Sequence, residues 1–325
     1  ESFGLNAGSL LDLSSQAAQL LFLSYSREDE RESDALGVEY SAMRQYEAAE
    51  GSEFFTSLKR ISKKSGFSIP SHLSSHPDPG EREKTIPKLA ESWAERGYEQ
   101  NIVGKETFYR MIEGIMYGEN PRNGFVRDHF FYHPDLAFEF EIPQDFDVAN
   151  EPSRVVIYNE DQSAITIFSI DAAAESAEQS VRSFMDQDGL STERSSAFSA
   201  NGYSGYQARG SAAVQGGSLG VLLSAVEYDD TIYQFLSYAD SSNYPNYEGA
   251  FELIPLSFNA LEDEEILDIQ PVRLVQMEVS NAGTIEEVIP AQLPMDIVPL
   301  DVAILNQVEM DEVLEQGRII KIPVQ

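Results

Sequence analysis

Two acidic side chains near the start of the chain have a spacing that suits a chemical site. Glu30 and Asp34 lie four residues apart, in a stretch without proline or glycine before Gly37. Residues four apart lie on the same face of an α-helix, so a helix here places both carboxylates side by side. The alternative interpretation is that the charged run 27–32 is a solvated, salt-bridged helix face, which is the usual meaning of such a run.

The histidines limit what these carboxylates can do with a metal ion. The chain has four of them, His72, His76, His129 and His133. None of them pairs with another around a glutamate at the spacing of HExxH, the helical motif with which many hydrolases bind zinc. The 325 residues alone therefore cannot build a site that depends on this motif.

Five motifs of this chain occur in a recognisable order. They are Ser26-Arg27-x-x-Glu30-x-x-x-Asp34-x-x-Gly37, Glu53-Phe54-Phe55-x-x-Leu58, His76-Pro77-x-Pro79-x-x-Arg82, Met116-Tyr117-Gly118-x-x-Pro121-x-x-Gly124-Phe125-Val126 and His133-Pro134-Asp135-Leu136-x-Phe138-x-Phe140. In the first three motifs and their order, the chain resembles the family of zinc endopeptidases that includes the CAAX prenyl protease and the bacterial beta-barrel assembly-enhancing protease. In the last two it resembles the longer, multidomain bacterial members of that family.

The resemblance implies a zinc site and a role for four residues. Glu30 is expected to be a zinc ligand, and Asp34 to support a metal-binding histidine from behind. His76 is expected to stabilise the developing oxyanion or to occupy the open position of the metal, and a loop histidine without function is the alternative. Arg82 has two interpretations: a partner of a carboxylate in the same site, and a helix-surface arginine, which is the more common of the two.

The missing HExxH also determines what we expect of activity. We expect the chain either to be a piece of a longer protein that begins downstream of the histidine helix or to be a degenerate relative. The intact protein is then expected to be a zinc metalloendopeptidase that cleaves proteins or peptides, and this chain to be inactive alone. Because relatives of this kind occur in the cell envelope, we expect a periplasmic location, with any lipid anchor upstream of Glu1.

Composition excludes several classes of partner. The chain carries 55 acidic and 22 basic residues, for a net charge of −33. So large a negative charge argues against binding to nucleic acid or to an anionic membrane surface. It contains no cysteine, which excludes disulfides and thiolate metal sites. Its apolar runs are far shorter than the ~20 residues of a membrane-spanning helix.

The periodicity of apolar residues predicts a multidomain α+β chain whose first domain, 1–125, is helical. The resemblance implies that this domain is the C-terminal part of a zincin-type peptidase. Apolar residues recur at steps of three and four from Leu10 to Leu21 and again from Leu36 to Met43. A loop rich in proline, serine and histidine is predicted at 69–80. Helices are predicted to resume at 81–96 and 105–117.

The middle region, 126–262, is predicted to be an α+β sandwich with an antiparallel sheet. Apolar residues alternate from Leu136 through Phe138 and Phe140 to Ile142, which is typical of a strand with one buried face. Further strands are predicted at 154–158, 164–168, 219–226 and 231–237, and helices at 176–186 and 246–257. This region is similar to the PsbP-like fold of photosystem accessory proteins.

The last region, 268–325, is predicted to be a small module of strand, helix, helix and strand. Thr284 to Glu287 has the pattern of a capping box, which opens a short helix. With Leu305-Asn306 and Gly317, the order of elements resembles a diverged LysM module, so peptidoglycan is an expected partner. Two other functions stay open at this point: a non-catalytic envelope scaffold or chaperone-like binder, and a cell-wall glycan-binding protein.

Overall fold

The computed structural model describes residues 27–65, 79–214, 217–294 and 297–325. Within them the chain has the multidomain α+β architecture that the sequence predicts, with helices and antiparallel sheets. The helix expected between Leu10 and Leu21 lies outside the described residues. So do His72, His76 and most of the loop expected at 69–80.

The described residues form nine α-helices and thirteen strands. The helices are α1 Arg27–Met43, α2 Gly51–Ser65, α3 Pro79–Glu95, α4 Lys105–Ile112, α5 Ala177–Met185, α6 Tyr244–Leu256, α7 Glu264–Leu267, α8 Ile285–Val288 and α9 Pro299–Leu305. The strands are β1 Phe125–Arg127, β2 Phe130–His133, β3 Phe138–Glu141, β4 Phe146–Glu151, β5 Arg154–Asn159, β6 Ala164–Ile170, β7 Leu190–Ala200, β8 Tyr203–Val214, β9 Gly217–Tyr228, β10 Thr231–Asp240, β11 Asn259–Ala260, β12 Arg273–Glu278 and β13 Ile319–Val324.

These elements group into two compact units. One contains Asn120–Gln270, and we call its described part the sheet unit. The other joins the described residues of 20–119 to Pro271–Gln325, and we call it the helical unit. The division into three domains at 125, 262 and 268 stays a prediction from the sequence pattern.

The sheet unit is built from two antiparallel sheets. A four-stranded sheet has the order β1-β2-β3-β11, and a seven-stranded sheet has the order β4-β5-β6-β10-β9-β8-β7. Phenylalanines of the smaller sheet, Phe131, Phe138 and Phe140, share a core with Phe168 and Phe235 of the larger one. A second core forms where α5 packs its buried face on strands β8 to β10. These are the layers of an α+β sandwich.

Five of the eleven strands of the sheet unit, β3, β5, β6, β9 and β10, lie where the sequence predicts strands. Phe138, Phe140 and Ile142 are buried, whereas Leu136 is exposed because it ends a short 3₁₀ turn before β3. The hairpin between β9 and β10 turns at Asp229 and Asp230, both with positive φ, as in a type I′ turn. Gly124 needs to be glycine, because its φ is +106° and a Cβ there would lie 2.4 Å from the ring of Phe131.

The helical unit has two cores. Val38, Phe55, Ile86 and Ala90 bring α1, α2 and α3 together. The second core contains the side chains that α8, α9, β13 and the loops beside them bury, namely Val279, Ile285, Ile289, Val302, Ala303, Val308, Leu314, Ile320 and Ile322. The predicted order of strand, helix, helix, strand is present, and Glu287 accepts a hydrogen bond from the Thr284 N–H at 2.8 Å, as in a capping box.

The C-terminal residues of the helical unit are bonded to the residues that follow α4. The N–H of Gly114 donates to the carbonyl of Leu274 at 2.7 Å, and the N–H of Leu274 donates to Ile115 at 2.9 Å. Helix α4 therefore ends at Ile112, five residues before the predicted Tyr117. Gly114 has a φ of +76°, and the chain after it pairs with the start of β12.

Among the described helices, none has the length and apolar character needed to cross a membrane.

Candidate functional site

Helices α1 and α3 carry three of the four residues that the sequence singles out. Glu30 and Asp34 are on α1, one turn apart, and Arg82 is in the first turns of α3. Both helices pack through the core that contains Val38 and Ile86. This packing brings Arg82 to the two carboxylates although 48 residues separate it from Asp34 in sequence, and more separate it from Glu30.

Arg82 binds both carboxylates at once. Its Nε donates to Asp34 Oδ2 at 2.8 Å, and its Nη2 donates to Asp34 Oδ1, so this pair is bidentate. Its Nη1 lies 2.7 Å from Glu30 Oε2. The planar guanidinium suits such an arrangement because its donors point in fixed directions.

The three side chains are largely withdrawn from water. Asp34 is 10% exposed, Glu30 17% and Arg82 18%. The guanidinium carbon of Arg82 lies 4.1 Å from the ring centre of Phe55 on α2, a cation–π contact. The hydrogen bond with Asp34 raises the pKa of Arg82 above its ordinary value, although burial acts in the opposite direction. Arg82 is therefore a fixed positive charge between two carboxylates. We call this arrangement the Arg82 cluster.

The described residues do not complete a zinc site. A catalytic zinc ion needs three protein ligands and one open position for water. In the part of the chain that the structure describes, no group of three or more His, Asp or Glu side chains is placed to hold a metal ion. Glu30 has the donor chemistry of one ligand, and Asp34 that of a hydrogen-bond acceptor behind a ligand. The remaining ligands are not among these residues, so no catalytic step follows from this geometry.

The two described histidines have local structural roles. His129 lies in the turn between β1 and β2 with a φ of +63°. His133 ends β2, and its Nδ1 accepts a hydrogen bond from the N–H of Leu136 at 3.2 Å. Burial lowers the pKa of His133, which favours the neutral ring that this acceptor role requires. His76 lies outside the described residues.

A cavity of about 640 Å³ lies elsewhere in the helical unit, between α3 and the loop that follows it. Glu47, Glu91 and Glu99 give its lining a negative character, and Tyr98 adds an aromatic edge. Glu30, Asp34 and Arg82 are not among its lining residues. The candidate chemistry and this cavity are therefore separate features of the helical unit.

Phe55 also contributes to the Arg82 cluster, and this role is not indicated by the sequence. It belongs to the motif 53–58. Its position in the pattern of apolar residues is that of a core residue, and its 8% exposure is also typical of a core residue. Its second role is the cation–π contact with Arg82. This contact is recognisable only once the packing of α2 against α3 is known.

Comparison with protein families finds one match, over the region that contains the Arg82 cluster. Residues 2–90 match the model of Peptidase family M48. The match spans about a quarter of the chain and includes Glu30, Asp34 and Arg82. It supports the resemblance of this region to that family of peptidases. No curated protein matches the chain by sequence.

Several solved structures share part of the fold at low identity. Cyanobacterial PsbP (CyanoP) from Synechocystis sp. PCC 6803 is 13% identical over 40% of this chain and 91% of its own, with a TM-score of 0.34. LpqN, described as involved in cell envelope biogenesis of Mycobacterium tuberculosis, is 15% identical over 38% and 83%, with a TM-score of 0.30. The Saccharomyces cerevisiae Ran-binding protein Mog1p is 9% identical over 46% and 98%, with a TM-score of 0.32. Nothing about function follows from likeness at this level.

Proposed function

We propose that this chain is part of a zinc-dependent endopeptidase and that Glu30 is one of its zinc ligands. Asp34 then accepts a hydrogen bond from a ligand histidine and keeps its ring in the binding orientation. The residues of HExxH, two histidines and a general base, come from outside this sequence, which does not contain them. The proposal rests on the peptidase match over residues 2–90 and on the geometry of the Arg82 cluster.

The observation that carries the proposal is the pair of carboxylates held one turn apart in a mostly buried place. Two like charges at this spacing destabilise a helix, and burying each of them costs further free energy. A chain under no functional constraint has little reason to keep both. Arg82 offsets the cost through the bonds to Asp34 and Glu30. Under the proposal, Arg82 is a positioning residue that fixes the direction of both carboxylates.

His76 keeps the role that the resemblance gives it, as a ring that stabilises the oxyanion or occupies the open position of the metal. Protein quality control or processing in the periplasm or cell envelope is the accompanying proposal for the biological role. It rests on the resemblance to multidomain bacterial members of the family. Binding of peptidoglycan by the LysM-like residues 268–325 rests on the sequence pattern alone.

A second candidate function is a non-catalytic scaffold or chaperone-like binder of the envelope. One observation favours it: the 325 residues contain no HExxH. In that case the Arg82 cluster is a structural ion-pair network that joins α1 to α3. The two candidates differ in whether the protein holds zinc.

The test is metal analysis and casein cleavage with the protein purified from its own host. We expect about one zinc per molecule, as a single catalytic site requires. Glu30→Gln is expected to remove most of the zinc and to lower cleavage by at least ~100-fold, and Asp34→Asn to weaken zinc binding by about 10–100-fold. Glu32→Gln, an exposed carboxylate of the same helix, is the matched control and should change neither.

Two results would overturn the assignment. Zinc and cleavage that are unchanged in Glu30→Gln remove this residue from the metal site. A wild-type protein that carries no zinc and cleaves no casein supports the scaffold. Folding of each variant is checked by the fluorescence of Trp93, the single tryptophan of the chain, which packs in the core next to the Arg82 cluster.

A further inference from the structure

A small cavity with a positive lining lies in the helical unit, away from the Arg82 cluster in sequence. Its volume is about 330 Å³, and we call it the Tyr109 cavity. One wall is helix α4, and the other is formed by β12 and the start of β13. The lining residues are Lys105, Glu106, Tyr109, Arg110, Gln276, Arg318 and Ile319.

The two walls are firmly connected although more than 150 residues separate them in the chain. Tyr109 is only 7% exposed. Just beyond the end of α4, the carboxylate of Glu113 accepts hydrogen bonds from the backbone N–H and the side-chain amide of Gln276, at 3.0 and 2.9 Å. The backbone bonds between Gly114 and Leu274 continue this connection. The cavity is therefore part of the folded unit.

Two lysines, one on α4 and one on β13, converge on one ring. The Nζ of Lys105 lies 5.4 Å from the ring centre of Tyr109, and the Nζ of Lys321, on β13, lies 5.3 Å from it. Burial lowers the pKa of Lys321, and the positive charge of Lys105 lowers it further. Arg110 and Arg318 bring two more positive charges to the lining.

Acidic residues balance this charge only in part. Arg318 pairs with Glu312 at 2.9 Å, and Glu106 is the carboxylate of the lining. Among the described carboxylates, none forms an ion pair with Lys105, Arg110 or Lys321. The surplus is unusual in a chain with 55 acidic and 22 basic residues, where most surface charge is negative.

We propose that the Tyr109 cavity binds a small ligand that carries two or more anionic oxygens, as carboxylate or phosphate. Such a ligand would neutralise Lys321, which is half-buried, and the exposed Lys105, whose positive charge otherwise repels it. The planar donors of Arg110 and Arg318 suit carboxylate and phosphate oxygens. A cavity of this size is at the lower end for ligand sites, which favours a molecule about as large as citrate over a macromolecule.

The test is isothermal titration calorimetry of the full chain with citrate and with inorganic pyrophosphate, and with glycerol as the neutral control. We expect one of the two anions to bind with a Kd below about 1 mM, and glycerol not to bind. The tighter anion identifies the ligand as a carboxylate or a phosphate compound. Binding should weaken several-fold between about 0.02 M and 0.3 M salt, because salt screens the attraction.

Variants decide whether the cavity is the site. The double variant Lys105→Gln/Lys321→Gln should lose at least ~10-fold in affinity for the anion. Lys84→Gln/Lys88→Gln removes the same charge from exposed positions of α3 and should bind as the wild type does. Because the first pair of substitutions removes a repulsion, we expect that variant to fold, with Trp93 fluorescence as the check.

A measurement on the wild type makes the outcome independent of any variant's folding. Titration with the bound anion should shift the side-chain NMR signals of Lys105 and Lys321 and leave that of Lys88 in place. The proposal fails if neither anion binds, if both double variants lose the same affinity, or if the shifted signals belong to lysines other than Lys105 and Lys321. None of these results bears on Glu30, so the peptidase proposal stands or falls separately.

Discussion

Removal of the Arg82 side chain is the sharpest test of the Arg82 cluster. In Arg82→Met the two carboxylates of α1 remain one turn apart and lose the guanidinium that binds both. Methionine fills much of the same space and still contacts the ring of Phe55, so the change isolates the charge. We expect the free energy of unfolding of the helical unit to fall. Most of this loss should come from the carboxylate of Asp34, which the substitution leaves without its guanidinium partner.

The size of the expected loss in stability follows from how deeply the two carboxylates are buried. Removing one partner of a buried ion pair costs about 3–5 kcal/mol, since the other charge is left unpaired. Asp34 and Glu30 are still 10% and 17% exposed, so water offsets part of this cost. Loss of the cation–π contact adds about 1 kcal/mol, which a sulfur–aromatic contact partly replaces. We expect a net loss of about 3 kcal/mol, or roughly 1–2 M in the urea midpoint.

Urea unfolding followed by the fluorescence of Trp93 measures the stability of the helical unit, to which this residue belongs. Trp93 is the single tryptophan and packs in the core shared by α1, α2 and α3. Lys59→Met is the control, because it breaks the exposed pair with Glu83, at 3.4 Å, between the same helices α2 and α3. Exposed pairs contribute about 0–1 kcal/mol, so the midpoint should change little.

The decisive comparison is the effect of Asp34→Asn in two backgrounds. With Arg82 present, the substitution breaks a bidentate ion pair and should destabilise the unit. In Arg82→Met it removes the charge of Asp34, which has lost its guanidinium partner, and should stabilise the unit by about 1–2 kcal/mol. An equal loss in both backgrounds would refute the reasoning, since it would mean that the two side chains do not interact energetically.

Two further predictions concern other parts of the fold. Burial lowers the pKa of His133, so its neutral form stabilises the sheet unit above the unfolded pKa of about 6.5, and that stability is lost as the pH falls below this value. His133→Asn should flatten the dependence of the urea midpoint on pH between about 5 and 8, by far-UV circular dichroism, and an unchanged slope would contradict this. Asn306 is buried and bonds the carbonyls of Val302 and Lys321 and the N–H of Lys321, so Asn306→Ala should cost about 3 kcal/mol. Hydrogen exchange at the Lys321 amide should then accelerate at least ~10-fold, and retained protection would contradict the role of Asn306.

Elements with a strong apolar period were predictable from the sequence. Helix α3, predicted at 81–96, is present at Pro79–Glu95, and β10, predicted at 231–237, is present at Thr231–Asp240. Helix α3 buries one regular face, and β10 is a continuous apolar run that is buried on both faces, so each apolar pattern also defines its element. Of the two interpretations of Arg82, the less common one, a partner of a carboxylate, matches the contact with Asp34.

Strands β7 and β8 escaped prediction for a physical reason. Leu190–Ala200 is largely serine, threonine and charged residues, and ten of its positions are not buried, so no apolar alternation marks it. Its neighbour Tyr203–Val214 carries Gly210, where a Cβ would lie 1.9 Å from the carbonyl oxygen of Ser191. The pairing therefore depends on a close backbone approach, which a pattern of hydrophobicity does not record.

The Tyr109 cavity could not be predicted because its charges come from distant segments. Lys105 and Lys321 meet at one ring only after α4 is bonded to β12 and β13. In the sequence each is an isolated lysine in an acidic chain. A pattern of apolar residues indicates which face of one helix or strand is buried. It does not indicate which faces of two elements pack against each other.

The extent of the helical unit decides how the Arg82 cluster has to be studied. The peptidase match ends at residue 90, but α2, whose Phe55 lies under Arg82, is also held from the other end of the chain. Arg60 on this helix donates to the carbonyl of Val308 at 2.8 Å, and Lys64 pairs with Asp301 at 2.6 Å. Removal of the C-terminal residues would break both contacts and leave α2 without this support. Experiments on Glu30 and Arg82 therefore need a protein that retains residues 271–325.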